Sequence, residues 1–158
     1  LKRPPRDVEQ PIFDRTMIEQ VLSTGSYMGV VAFAVFYYLV SVQGMAAEPA
    51  RNLVLLLMVL FENVHTLSCR SEHRSVFVVP LRDNPLLLGA IVLAHGIHIA
   101  AMFTPGLSTV LGVAPVSPGT WGLLLLLSVS VLVPDELSKR LRGGSGERAR
   151  QLHTEARP

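Results

Sequence analysis

Leu53-Val54-Leu55-Leu56-Leu57-Met58-Val59-Leu60-Phe61-Glu62-Asn63-Val64-His65-Thr66-Leu67-Ser68-Cys69 is the stretch on which the reading turns. It is dense in Leu, Val and Met, and as a helix rising about 1.5 Å per residue it is long enough to cross most of a hydrocarbon core about 30 Å thick. It also carries one carboxylate, Glu62, ten positions beyond Asn52 and so about 15 Å along the helix. A charge at that depth costs on the order of 2.5 to 3.5 kcal/mol even on lenient insertion scales, so a compensating role is the default expectation. The neighbours of Glu62 at i+3, i+4 and i+7 are His65, Thr66 and Cys69, a polar stripe that must face protein or water. Ion ligation and a structural hydrogen bond both remain open for Glu62 from these residues alone.

Outward from this run, three more apolar stretches follow the same rule. Val21 to Val42 contains 22 residues without a formal charge. The expected spans are about 18–42, 53–69, 85–103 and 118–137, the last opening with Trp121 near an interface, where an indole keeps its N–H wet and its ring in lipid. Residues 1–16 then form a cytoplasmic lead-in, 17–141 a four-helix transmembrane domain, and 142–158 a tail. That tail, Gly143-Gly144-Ser145-Gly146 followed by alternating charges, has no apolar periodicity and is expected to be disordered. The predicted fold class is therefore an all-α membrane protein, four transmembrane helices in a bundle, with the lipid bilayer as its solvent.

The cations give the direction. Lys2, Arg3, Arg6 and Arg15 precede the first span, Arg70, Arg74 and Arg82 lie between the second and third, and Lys139, Arg140, Arg142, Arg148, Arg150 and Arg157 follow the fourth. Thirteen fall on one side and only Arg51 on the other, so both termini and the Cys69 to Asn84 loop are expected to be cytoplasmic. The Gln43 to Asn52 and Thr104 to Gly119 loops are expected outside. A soluble protein with four buried helices would have no reason to sort its cations this way.

Composition agrees and excludes several classes. Of 158 residues, 49% are hydrophobic and 16% charged, and the net charge of +2 is too small to suggest nucleic acid as a partner. The single cysteine, Cys69, leaves no internal disulfide and no zinc cluster. The first residues are basic and Pro-rich with no apolar core, so this stretch holds no signal peptide, and an excerpt of a longer protein is the simplest expectation. Gly143-Gly144-Ser145-Gly146 follows no strand and lacks the Lys-Ser/Thr ending of a phosphate loop, and no nucleophile elbow is present. Soluble catalysis is not supported, and no cofactor is expected in this stretch.

Three further features need weighing. Gly25 and Gly29, with Ala32 extending the row, make a small-residue face in the first span on which another helix backbone can close. His95 and His98 lie one turn apart in the third span and, with Glu62-x-x-His65, invite a metal–carboxylate bundle. Such a bundle needs two Glu-x-x-His pairs and two more acids, whereas Glu62 is the only acid well inside a span. Asp135 and Glu136 stand beside Lys139 and Arg140, where interfacial charge pairing accounts for them.

The order of short motifs is more specific than any one of them. Lys2-Arg3-Pro4-Pro5-Arg6 and Gln10-Pro11-Ile12 lead into the glycine-spaced helix, and Phe61-Glu62-Asn63-Val64-His65 is followed by Cys69-Arg70-Ser71-Glu72. Asn84-Pro85-Leu86-Leu87-Leu88, the Pro105 to Trp121 loop and Asp135-Glu136-Leu137 with Lys139 complete the series. In this order, over residues 2 to 141, the chain resembles the C-terminal region of calcium-pump-like P-type cation-transporting ATPases, helices seven to ten. The resemblance implies that Glu62 matches the eighth-helix acid that ligates one transported cation, with calcium the first candidate, and that Gly25 and Gly29 match a face packing on the fifth helix. It implies as partners the missing N-terminal transmembrane helices and cytoplasmic domains, which would also hold ATP and magnesium. The chain has no Asp-Lys-Thr-Gly phosphorylation motif and no Thr-Gly-Glu motif, so it cannot couple ATP to transport alone. The expected function is to brace the ion-binding helices and contribute one carboxylate, in the plasma (inner) membrane. The alternative is a self-standing four-helix scaffold or accessory subunit without pump activity.

Overall fold

The computed structural model describes residues 15–70, 80, 82 and 84–137, with the side chains of residues 15 and 16 left aside. The lead-in motifs at 2–12, the loop cation Arg74, Lys139 and the cations beyond it, and the expected tail lie outside the described residues.

Helix α1, Arg15–Tyr37, runs on into a wider π turn over Tyr38–Val42, so the apolar rod extends over Met17–Val42. The side chain of Gln43 donates to the Tyr38 hydroxyl at 2.6 Å, and Gly44, at φ +67°, turns the chain in a conformation that a Cβ would strain. Helix α2, Ala47–Ser68, starts directly after this turn, with Pro49 in its first turn where the missing N–H costs nothing. Its buried residues Ala50, Leu57, Phe61 and Ser68, with Leu56 and Leu60 beside them, recur at helical spacing and form the spine of the molecule. The helix begins five residues before Asn52, and Glu62 lies six residues, about 9 Å, from its far end at Ser68.

Helix α3, Pro85–Phe103, has Asn84 as N-cap, whose side chain accepts from the Leu87 N–H at 3.1 Å, and Pro85 at the first helical position. A five-residue helix α4, Leu107–Leu111, set between Gly106 (φ +89°) and Gly112 (φ +63°), returns the chain to α5, Pro118–Val129. Ser117 caps α5 by accepting from the Thr120 N–H at 3.2 Å. The helix then tightens at Ser130 and Val131, whose N–H groups bond three residues back, and resumes over 132–137. Pro134 explains the interruption: it has no N–H to give, and its ring would clash with the Ser130 carbonyl in an unbroken helix.

Four stretches are long and apolar enough to cross a membrane, Met17–Val42, Ala47–Ser68, Pro85–Phe103 and Pro118–Leu137, and the described residues contain no strand. The packing among them is unequal. Helix α2 lies between α1 and α5, and the core is built from Met28, Leu56, Leu57, Leu60, Phe61, Leu124 and Val131, joined by Ala101, Met102 and Val113. Helix α3 meets this core mainly through its Ala101–Met102 end and through His95 and His98, leaving Leu86, Val92, Leu93 and Ile97 exposed. With Val30, Phe33 and Leu126 also exposed, the apolar surface far exceeds what a water-soluble monomer presents. The protein is an integral, multi-pass membrane unit.

Candidate functional site

The polar residues of α2 do not form one stripe. Glu62 points to the outside of the unit and is exposed, and among the described residues its carboxylate has no partner; only its backbone oxygen is used, accepting from the Thr66 hydroxyl at 2.7 Å. That back-bond satisfies Thr66 within its own helix. His65, one turn on, turns inward. Its Nδ1 lies 2.8 Å from Oδ2 of Asp135, while Oδ1 of the same carboxylate accepts from the Thr24 hydroxyl at 2.7 Å. Ser68, also buried, adds a side-chain hydrogen bond to Asp135.

Asp135 is completely buried, and its expected partners Lys139 and Arg140 lie outside the described residues. A carboxylate without solvent must be paired and hydrogen-bonded, and here two helices supply the partners of a third segment. Thr24 comes from α1, His65 and Ser68 from α2, and Asp135 from the helical turn beyond Pro134. The Pro134 break follows the tightened turn at Ser130 and Val131 and directly precedes Asp135, at the end of the unit where α1 begins and α2 ends. Because an ionised Asp135 only accepts, the His65 Nδ1 carries the proton in this pair. The His65 Nε2 lies 3.4 Å from the Cys69 sulfur.

The other expected residues are placed as follows. Gly25 and Gly29 are exposed, and among the described residues a Cβ added at either would meet nothing within 4 Å, so no described helix closes on them. Ala32 does not extend their face: it is buried with Thr24 and Met28 on the α2 side of α1. His95 Nδ1 is 3.0 Å from the Ile91 carbonyl and 3.4 Å from the Asn63 amide nitrogen, and one ring nitrogen cannot donate to the first and accept from the second, so the shorter bond defines it as a donor. Asn63 instead donates to the Val59 carbonyl at 2.8 Å. Both histidines lean on Trp121, His98 edge-on at 77°. Glu62, His65, His95 and His98 do not converge, and among the described residues no three His, Cys, Asp or Glu side chains gather as a metal would need. On the opposite side of the unit, Asn52 is buried and donates to the Ala114 carbonyl at 3.0 Å, tying the long loop to α2 beside an open groove of about 720 Å³.

The Thr24–His65–Asp135 node escaped the sequence reading because Asp135 lies 70 residues from His65 and 111 from Thr24. The available signal was a demand for partners: a threonine, a histidine and an aspartate in apolar segments each require one.

Comparison with known proteins agrees with this architecture. Residues 1–141 match the family described as cation transporting ATPase, C-terminus. An endoplasmic reticulum-type calcium-transporting ATPase 4 of Arabidopsis thaliana is 34% identical over 90 residues, covering 57% of this chain and 8% of that protein. A calcium-transporting ATPase of Bacillus subtilis is 27% identical over 128 residues, 81% of this chain and 14% of that protein. A probable cation-transporting ATPase F of Mycobacterium tuberculosis is 24% identical over 145 residues, 90% of this chain and 16% of its own length. The chain thus spans less than a fifth of the length of each of these relatives. With the family match running from residue 1 to residue 141, across all four spans, the chain belongs to the C-terminal transmembrane region of the P-type cation-transporting ATPases.

Proposed function

We propose that this unit works inside a complete cation pump, bracing the ion-binding helices and supplying the Glu62 carboxylate as one ligand of the transported ion. The observation that carries the reading is the contrast along α2. His65 is satisfied inside the unit, whereas Glu62, one turn away, is presented outward from a membrane span with no partner among the described residues. Lipid cannot be its neighbour at a cost of about 2.5 to 3.5 kcal/mol, so its complement is protein, water or a cation beyond this chain. The open face at Gly25 and Gly29 is a second surface suited to a helix from elsewhere.

Calcium is the proposed cargo, on the names of the Arabidopsis and Bacillus relatives. A calcium ion takes six to eight oxygens, so one carboxylate is a contributor and the remaining ligands come from helices outside this chain. ATP and magnesium belong to cytoplasmic domains of the same pump. The cation count supports cytoplasmic termini, with the arginine-bearing end of α2 inside. The bacterial relatives support placement in the plasma (inner) membrane, although the plant ones are of the endoplasmic reticulum type.

The test is Glu62→Gln in the intact pump, which keeps the shape and removes the charge. Cation activation of ATP hydrolysis should shift to higher concentration by about tenfold or more, while the amount of pump in the membrane changes little. An unchanged cation dependence at normal expression would return Glu62 to a purely structural role.

A further inference from the structure

The end of the unit opposite Asp135 carries a groove that the Glu62 site does not use. It has a volume of about 720 Å³ and lies between the first turns of α2 and the loop segment 108–114. On the α2 side it is lined by Glu48, Arg51, Asn52 and Leu55. Asn52 is buried, with 6% of its surface exposed, and its amide nitrogen is committed to the Ala114 carbonyl at 3.0 Å. That bond fixes the other end of the amide as the oxygen. Asn52 Oδ1 is buried too, and it has no hydrogen-bond partner among the described residues. An acceptor in that state calls for a donor from outside the chain.

The charges beside it are also unused. Glu48 and Arg51 are exposed, and neither has an ion pair among the described residues. Glu48 and Asn52 are four residues apart, which puts the acid and the orphaned acceptor on one face of α2, with Arg51 next to them. Arg51 is the single Lys or Arg in the two connections at this end of the unit, residues 43–52 and 104–117. Leu55, Val110 and Leu111, which also line the groove, are exposed and join it to the apolar surface of the unit.

We propose that this groove binds the headgroup of a phosphatidylethanolamine from the adjoining leaflet. The phosphate pairs with the Arg51 guanidinium, the primary ammonium donates to Asn52 Oδ1 and pairs with Glu48, and the acyl chains leave along Leu55, Val110 and Leu111. The ligand carries both charges, as the groove does. Its ammonium has N–H donors and is small enough for a recessed oxygen, whereas a choline headgroup has no N–H at all. A soluble anion would use Arg51 alone, and a metal cation would meet Arg51 as a like charge. The groove volume is in the range of sites that enclose a small ligand, and its open side leaves the chains in the bilayer.

The probe is dioleoylphosphatidylethanolamine, and the control is dioleoylphosphatidylcholine, which has the same chains and phosphate. The two lipids are added in equal amounts to the full chain in mild detergent, and native mass spectrometry counts what is retained. The ethanolamine lipid should be retained at least about fivefold over the choline lipid, the order of effect of a hydrogen bond from a charged donor. Glu48→Gln and Asn52→Leu should each bring that ratio close to one, whereas Arg51→Gln should lower retention of both lipids together. Trp121 emission checks that each variant is folded; should Asn52→Leu not fold, Glu48→Gln, at an exposed position, decides. Glycerophosphoethanolamine, the same headgroup without chains, should not displace the lipid at equal concentration, and displacement would mean a soluble amine in place of a lipid. Equal retention of the two lipids by the unchanged chain would mean that water alone serves Asn52, and it overturns the proposal. A preference that survives Glu48→Gln, or a folded Asn52→Leu, overturns it as well.

Discussion

Thr24 illustrates how much one hydroxyl can matter when its partner is a buried charge. It donates to Asp135 at 2.7 Å from a different helix, and no water reaches that carboxylate to replace it. Thr24→Val keeps the shape and removes the donor. The expected loss is about 1 to 2 kcal/mol, between the average interhelical hydrogen bond in a membrane and a charge-assisted one. Reversible unfolding in mixed detergent should show it, and a change under about 0.3 kcal/mol would mean that His65 and Ser68 alone satisfy the acid. Glu62 was legible as a candidate because a carboxylate in an apolar helix is conspicuous on its own. Asp135 was not, because it lies among charged residues near a span end, and only its burial distinguishes it from an ordinary interfacial acid.

At the scale of elements, the four spans are not equivalent. Their length and apolar content could be read directly, since crossing a membrane is a demand on each helix separately. Which helix is central could not be read. Lipid tails are as apolar as Leu, so an apolar side chain gains little from choosing a neighbour over the bilayer, and shape decides instead. Helix α2 became the spine, and α3 became peripheral although it is the most uniformly apolar. Phe61→Ala, which empties a fully buried position of α2, should therefore destabilise the unit by roughly 3 to 5 kcal/mol. Leu93→Ala, on the exposed face of α3, should cost under about 0.5 kcal/mol. Comparable losses in the two variants, measured by the same unfolding assay, would contradict the unequal packing.

For the whole molecule, direction across the membrane is the property with the widest consequences, and it was argued from thirteen cations on one side against Arg51 on the other. Cys69 offers a direct check because it is the only thiol in the chain and is exposed at the arginine-bearing end of α2. A membrane-impermeant maleimide should label it in inside-out vesicles and leave it unlabelled in right-side-out vesicles; the reverse pattern would invert the topology. Helix number, the odd carboxylate at Glu62 and the family resemblance all followed from local properties of the chain: hydropathy, charge placement and short ordered motifs act on segments of twenty residues or fewer. The union of Thr24, His65 and Asp135, the outward direction of Glu62 and the empty face at Gly25 and Gly29 depended on how the helices rotate and pack against one another. Those rotations are settled by contacts between residues far apart in sequence, in a solvent that gives apolar surfaces no strong preference, so no periodicity within one helix could have announced them.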